Sequence, residues 1–162
     1  MRTLALAAAA LIASGSAALA APASVTVNLS PELQKKAEKT YGVKDVERLR
    51  EELRTDVERQ LARTGAYDDA RIELTLVDAV PNRPTFKQLG DTPGLSMQSF
   101  GIGGARIEGQ AVAADGRVTP LSYSWYETDI RNTWSNWVWT DAEHAFERFA
   151  RRLSTGQTLA SR

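Results

Sequence analysis

Apolar residues recur at intervals of three and four along two long segments of the chain, the spacing that places them on one face of an α-helix. In the first segment these positions are Val46, Leu49, Leu53, Val57 and Leu61. In the second they are Ala142, Ala145, Phe146, Phe149, Ala150 and Leu153. The pattern therefore predicts two amphipathic helices, each with one face available for burial in a shared core.

The predicted helix ends carry recognisable signals. Ser30 followed by Pro31 predicts the start of a shorter helix before the first long one, and Gly42 separates the two. Thr140, with Glu143 three residues later, predicts a capping box at the start of the last helix.

Alternation of polar and apolar residues predicts four strands: 24–28, 70–78 and the two arms of a hairpin around Asp115-Gly116. An apolar face along both arms requires a three-residue loop, 115–117. That register pairs Ala111 with Leu121, Gly109 with Tyr123 and Ile107 with Trp125. Pro120 has no backbone N–H, so it is expected at an open edge or in a bulge.

The segment 79–104, with three prolines and five glycines, is predicted to be a long irregular loop. Its apolar residues argue against full disorder. The element order is then β-α-β-(long loop)-β-β-α, which predicts a two-layer α+β fold, a small and mostly antiparallel sheet packed by two helices. The predicted boundaries are a signal peptide over 1–20, a single domain over 21–154 and a polar tail over 155–162.

The first twenty residues have the pattern of a secretory signal peptide. Arg2 precedes an apolar run, and Ala18-Leu19-Ala20 supplies small residues for cleavage after Ala20 or a few residues later. No later segment approaches membrane-spanning length, and there is no cysteine for lipid attachment or disulfides. These features predict a soluble periplasmic or secreted bacterial protein. The balance of 20 basic and 20 acidic residues argues against a nucleic-acid partner.

Few residues point to chemistry. His144 is the only histidine and, without cysteine, has no partner for a zinc site or a catalytic triad. Five carboxylates lie on strands or near strand ends, and no spacing forces any two together. They are Asp78, Glu108, Glu127, Asp129 and Asp141. The glycines of 101–109 do not fit a dinucleotide fingerprint, because Arg106 replaces the third glycine and a strand follows. We predict no catalytic residue, no cofactor and no metal site.

Three of the four tryptophans lie within 134–139. Trp125 is predicted in the core, and Trp139 is predicted as a hydrophobic staple before the last helix. Trp134 and Trp137 either present a surface for a ligand or cover an open end of the core, and the small size of the domain favours cover. The candidate binding surface predicted here consists of Trp134, Trp137, Arg83, Phe86 and Arg131.

The paired segments GGARIEGQAVAADGR and WTDAEHAFERFARRL resemble the end of a bacterial envelope family of unknown function, whose members are often lipoproteins. In that family a strand and a long loop precede a similar hairpin and a helix that follows a tryptophan. The resemblance covers residues 70–154 and implies an envelope location and this fold. The cysteine of the lipoprotein pattern is missing here, and the family brings no catalytic residue that could be transferred.

These features predict an exported, non-enzymatic protein that binds an envelope protein or a surface ligand. One alternative is a small hydrolase acting on envelope carbohydrate or peptide, which would need two carboxyl groups in one cleft, one with a raised pKa. The other alternative is a structural subunit joined to an assembly through an open strand edge.

Overall fold

The computed structural model describes residues 21–156 and shows one four-stranded sheet. Its strands are β1 (Ser24–Leu29), β2 (Arg71–Val80), β3 (Gly104–Val112) and β4 (Val118–Tyr126), which lie in the order β1-β2-β3-β4. β1 runs parallel to β2, and the other two pairs are antiparallel. The predicted α+β class and mostly antiparallel sheet are confirmed. The predicted signal peptide, and the tail from residue 157 onward, lie outside the described residues.

Four α-helices accompany the sheet. They are α1 (Pro31–Lys36), α2 (Val43–Thr64), α3 (Phe86–Asp91) and α4 (Thr140–Ser154). Ser30 caps α1 by accepting the Leu33 N–H, as predicted. A π-helical turn, Ala37–Tyr41, extends α1 until Gly42, whose φ of 99° changes the chain direction before α2.

The two long helices lie side by side on one face of the sheet and bury both predicted apolar stripes. α2 and α4 run parallel, because Arg48 contacts Glu143 near their starts and Gln60 contacts Ser154 near their ends. Ile72, Leu74 and Leu76 of β2 face these helices and are buried, as the alternation in the sequence predicted. A continuous apolar layer between sheet and helices is the main source of stability in such a fold.

The hairpin register differs from the prediction by two residues. Gly109 pairs with Leu121 rather than Tyr123, and Ile107 pairs with Tyr123 rather than Trp125. The last pair is Val112 with Val118, so the loop is 113–117, closed by the Ala113 N–H to the Arg117 carbonyl at 2.9 Å. A shift of two leaves every side chain on its predicted face, because side chains alternate with period two.

Pro120 lies in the edge strand β4, as expected. The Ala113–Arg117 and Gly103–Glu127 hydrogen bonds show which residue pairs of β3 and β4 are hydrogen-bonded to each other. Hydrogen-bonded and non-hydrogen-bonded pairs alternate along two antiparallel strands. Pro120, opposite Gln110, falls at a non-hydrogen-bonded position, so its nitrogen faces the open edge. The missing N–H therefore costs the sheet no hydrogen bond.

The segment 79–104 is not irregular throughout, because it contains α3. Thr85 accepts the Gln88 N–H, and the Gln88 side chain accepts the Thr85 N–H, which forms a complete capping box. The T-x-x-Q spacing of Thr85 and Gln88 is the sequence pattern of such a box.

The fold has two distinct ends. At one end, called here the aromatic end, β2 and β4 finish and β3, α2 and α4 begin. At the other, the hairpin end, lie the 113–117 loop and the last turns of α2 and α4. Both ends of the described chain are at the hairpin end, since Ala21 binds Asp69 just before β2 and residue 156 follows α4. Among residues 21–156, no helix is long and apolar enough to cross a bilayer.

Candidate functional site

The two candidate tryptophans are exposed rather than packed over the core. Trp134 is 69% exposed and Trp137 is 64% exposed, whereas Trp139 is 2% exposed and packs edge-on against Tyr41 at 5.5 Å between ring centroids. Trp139 therefore belongs to the core, where it packs against Tyr41, while His144 on the first turns of α4 is exposed. The interpretation of Trp134 and Trp137 as core cover is wrong.

Large exposed apolar side chains concentrate at the aromatic end. They are Val43, Phe86, Phe100, Ile102, Ile130, Trp134 and Trp137. Val118, next to the hairpin loop, is the other large exposed apolar residue within the described chain. Apolar side chains gathered on one end of a small domain are typical of an interaction surface, whereas scattered ones need no explanation.

Arg83 holds in place the segment 134–139, called here the tryptophan loop. Its guanidinium donates to three backbone carbonyls, those of Asn136 at 2.6 Å, Trp134 at 2.6 Å and Met97 at 2.8 Å. It also lies 5.8 Å from the centroid of the Phe100 ring. Each of the three guanidinium nitrogens therefore donates within the fold, and this gives Arg83, predicted as part of the candidate binding surface, a role in positioning the loop.

A buried carboxylate, Asp141, joins three separate segments at the same end. It accepts the side-chain amide of Asn82 at 2.5 Å, that of Asn136 at 2.8 Å, and the Gly103 N–H at 2.9 Å. Asp141 is only 2% exposed, and all three donors are uncharged. Such a network fixes the loop after β2, the start of β3 and the tryptophan loop to the first turn of α4.

The start of α4 is capped from a distance, so the predicted Thr140–Glu143 capping box is wrong. Trp139 is the N-cap residue and provides no side-chain bond. Thr140 is already helical, and its hydroxyl accepts the Trp137 N–H at 2.9 Å. The Asp141 N–H donates instead to Asn82 Oδ1 at 2.9 Å, so a residue 59 positions earlier satisfies this helix end.

Gly103 makes the close approach at this network possible. A Cβ at Gly103 would lie 2.7 Å from the Val80 carbonyl oxygen and 3.0 Å from Asn82 Oδ1. Both distances are below ordinary van der Waals contact, so a side chain at 103 would push the start of β3 away from Asn82.

The other predicted surface residues take different positions. Phe86 begins α3 and is 76% exposed. Arg131 is exposed on a 3₁₀ turn, Ile130–Asn132, and its guanidinium binds Asp129 of the same turn at 2.6 Å. Trp125, predicted in the core, is partly buried at its border, with the Arg148 guanidinium 4.3 Å from its ring centroid.

Phe86 and Trp137 meet at a small groove of about 250 Å³. Its walls come from the first turns of α2, α3 and α4 and from the tryptophan loop. The remaining lining residues are Asp45, Arg48, Thr85, Val138, Trp139 and Glu143. The structure thus brings together two of the five predicted surface residues, and it adds Asp45 and Glu143, which the sequence analysis did not single out.

The five carboxylates considered for hydrolysis have structural partners. Asp78 accepts the Lys36 ammonium at 2.7 Å and the Tyr126 hydroxyl at 2.9 Å. The remaining four differ in position: Glu108 pairs with Arg106, Asp141 is in the buried network, and Glu127 and Asp129 accept backbone N–H groups near the 3₁₀ turn.

The pKa values of Glu127 and Asp129 move in the direction that disfavours a general acid. Backbone N–H groups of Asp129 and Thr128 lower the pKa of Glu127. The Arg131 side chain, and then its backbone N–H, lower the pKa of Asp129. A general acid at neutral pH needs a raised pKa, so neither residue is suited to be the general acid of a hydrolase.

Raised carboxyl pKa values occur instead in a second groove, between α2 and α4. Burial, and then the charge of Glu143, raises the pKa of Glu52, although Arg48 lies 2.8 Å away. Burial also raises the pKa of Asp56, with a smaller contribution from Glu147. The raised values therefore follow mainly from burial between the two helices, with a smaller contribution from carboxylates on the facing helix.

We expect the pH dependence of stability to show that burial, and then the charge of Glu143, disfavours the ionised form of Glu52 in the folded protein. A carboxyl whose folded pKa is raised adds stability that is complete below the unfolded pKa and is lost as pH rises through the folded pKa. In Glu52→Gln this contribution is absent, so the variant gains relative to the original protein as pH rises from 4 to 7. The expected change is on the order of 0.5 kcal/mol, measured by urea unfolding at both pH values.

Glu51, the preceding residue, provides a matched control of opposite sign. Hydrogen bonds from Arg54 and Arg50 lower the pKa of Glu51, so its stabilising effect is present above the unfolded pKa and is lost as pH falls through the folded pKa. Glu51→Gln should therefore lose stability relative to the original protein as pH rises. Changes of the same sign in both variants would contradict the assignment.

Residues 21–156 contain no group of three or more His, Cys, Asp or Glu placed to hold a metal ion. Comparison with known proteins finds neither a matching family model nor a matching curated protein. Function has therefore to be inferred from the geometry of the aromatic end.

Proposed function

We propose that this chain is an exported, non-enzymatic binding module of the bacterial envelope, and that it engages its partner through the aromatic end. The observation that carries the proposal is the exposure of Trp134 and Trp137 on a loop whose backbone is fixed by Arg83 and Asp141. Exposed rings on a flexible loop would lose entropy on binding. Rings on a loop already held in place avoid much of that cost.

Tryptophan is enriched among the residues that dominate the free energy of protein association. Phe86 and the exposed residues around it extend the surface over several elements of the fold. The signal-peptide pattern of residues 1–20 supports the envelope location, and the pattern of the hairpin and last helix supports the same assignment by resemblance.

Strand addition, the mode of a structural subunit, has weaker support. The open edges of the sheet are β1 and β4. Pro120 lies in β4 with its nitrogen towards the edge, where an added strand would need an N–H donor. Proline at an edge is a common means of preventing such pairing.

We expect the double variant Trp134→Ala, Trp137→Ala to bind at least about tenfold more weakly while its free energy of unfolding changes by less than about 0.5 kcal/mol. Binding would be measured first as retention of envelope proteins and glycans on the immobilised chain. Each retained component would then be purified and its affinity determined by calorimetry.

Val118→Ala is the control, because Val118 is exposed at the hairpin end. It removes exposed apolar surface without touching the aromatic end and should leave affinity unchanged. A partner that binds the double variant as tightly as the original protein would contradict the proposal. Parallel losses of affinity and unfolding free energy would do so as well, since they would show that the rings support the fold.

A further inference from the structure

The groove between Phe86 and Trp137 combines aromatic rings with carboxylates. Asp45 and Glu143 line it beside the two exposed rings. Asp45 is half-buried and forms no ion pair with any residue of the described chain. Arg48, the basic residue that lines this groove, pairs with Glu52 and Glu143 instead. An exposed aromatic face and an unpaired carboxylate both attract a cation.

This aromatic groove adjoins the groove between α2 and α4, and the Arg48–Glu143 ion pair, at 3.4 Å, lies on the boundary between them. The two are called here the combined groove. The acidic residues of the combined groove are Asp45, Glu51, Glu52, Asp56, Glu143 and Glu147. Its basic residues are Arg48 and Arg59. The lining itself therefore carries six acids against two bases, although Arg50 and Arg54 pair with Glu51 from outside it and the chain as a whole is balanced.

The acidic stretch has a definite length. Beyond Asp56 the lining becomes basic, with Arg59, Arg63 and Arg151. From Asp45 to Asp56 the helix rises about 16 Å at 1.5 Å per residue. An extended polypeptide covers that distance with about five residues.

We propose that the combined groove binds a basic segment of a partner polypeptide, with one lysine or arginine side chain between Phe86 and Trp137. This inference rests on the proposed function and names the chemistry of its partner. The cation contacts the aromatic faces and Asp45, and further basic residues of the segment face the two acidic rows of α2 and α4. A segment of this charge relieves the repulsion between the rows.

The length of the acidic stretch favours a polypeptide over a small free cation. About five extended residues span it, whereas a simple ammonium ion occupies a single position.

The test is a titration of the ¹⁵N-labelled exported chain with a hexapeptide of alternating lysine and alanine. The control ligand is the same peptide with every lysine acetylated. We expect the lysine peptide to shift the Trp137 indole signal and the backbone amides of 45–56 and 143–147, with an affinity that falls as salt increases. The acetylated peptide should leave these signals in place.

Asp45→Asn should weaken binding about two- to fivefold, the effect expected of one partly exposed charge pair. Asp115→Asn makes the same change of net charge at the hairpin loop and should have no effect. Equal effects of the two variants would overturn the inference, as would equal shifts with the acetylated peptide, shifts that omit the Trp137 indole, or no shift at all.

Failure of this inference is distinguishable from failure of the proposed function. A partner whose affinity depends on Trp134 and Trp137 but not on Asp45 would leave the binding module in place and remove the basic segment. Saturable shifts of the Trp134 and Trp137 indoles by a neutral oligosaccharide such as tri-N-acetylchitotriose, without any response to the lysine peptide, would do the same.

Discussion

Asp141→Ala is expected to lower the free energy of unfolding by about 3 kcal/mol or more. The substitution removes the acceptor of the buried Gly103 N–H, of the half-buried Asn136 amide and of one N–H of the Asn82 amide, which keeps its bond to the Gly101 carbonyl at 3.1 Å. Each unsatisfied buried donor costs roughly 1–3 kcal/mol. Since small domains have total stabilities of about 5–15 kcal/mol, this is a large fraction. Urea unfolding followed by circular dichroism measures it.

Glu143→Ala is the control for Asp141→Ala. It removes a negative charge from the start of α4 without removing an acceptor from the buried network. Glu143 is in the same first turn of α4 but is partly exposed and contacts Arg48 at 3.4 Å. Its removal takes away a favourable interaction with the helix dipole, worth about 0.3–1 kcal/mol, and leaves no buried donor unpaired. If Asp141→Ala costs no more than Glu143→Ala, the network does not hold the three segments together.

Asp141→Asn refines this experiment. Asparagine keeps the shape and one carbonyl oxygen, but its amide group places a donor against donors. We expect a loss between those of the two alanine variants. A loss close to zero would show that shape alone is needed at position 141, and that the second carboxylate oxygen contributes little.

Arg83→Ala is the second substitution for which a large effect is expected, about 2 kcal/mol. The carbonyls of Met97, Trp134 and Asn136 lose a charged donor, and the tryptophan loop gains conformational freedom. Hydrogen exchange should show this directly, as faster exchange of the amides of 134–137 relative to those of β2 and β3. Affinity for the partner should fall with it, because the rings are no longer held in position.

Two further arginine variants define what Arg83 contributes. Arg83→Lys should recover little, since one ammonium on a flexible stem cannot reproduce three separated guanidinium bonds. Arg131→Ala should leave the unfolding free energy nearly unchanged, because Arg131 is exposed and binds only Asp129, the N-cap residue of its turn. Similar losses in Arg83→Ala and Arg131→Ala would contradict the positioning role.

The fold could be predicted where a local pattern decides the structure. The spacing of Val46 to Leu61 and of Ala142 to Leu153 predicts α2 and α4, and their apolar residues are buried as expected. The alternation of Ile72, Leu74 and Leu76 predicts β2. These patterns work because burial of one face dominates the free energy of a helix or strand in a small domain.

The hairpin register could not be predicted in the same way. Registers that differ by two residues put the same side chains on the same faces, so the apolar pattern cannot distinguish them. What decides here is the loop, in which the Ala113 N–H reaches the Arg117 carbonyl, and that bond has no clear signature in the sequence.

The candidate site was predicted in part. Phe86 and Trp137 were singled out for their size and their position in loops, and the structure places both at one groove. The roles of Arg83 and Asp141 depend on contacts with residues 14 to 59 positions away. A single sequence states that an arginine and a carboxylate are present, but not that loop carbonyls and amides will surround them. The local capping rule for Thr140 failed for the same reason, since Asn82 satisfies that helix end.

The placement of both ends of the described chain at the hairpin end has a practical and biological consequence. A linker, tag or fusion partner joined at residue 21 or at residue 156 leaves the fold at the end opposite Trp134 and Trp137. The chain can therefore be fixed to a sensor surface, or joined to a larger scaffold, with every copy presenting its aromatic rings outward. Evolution could combine this domain with others by simple end-to-end fusion and leave its recognition surface unobstructed.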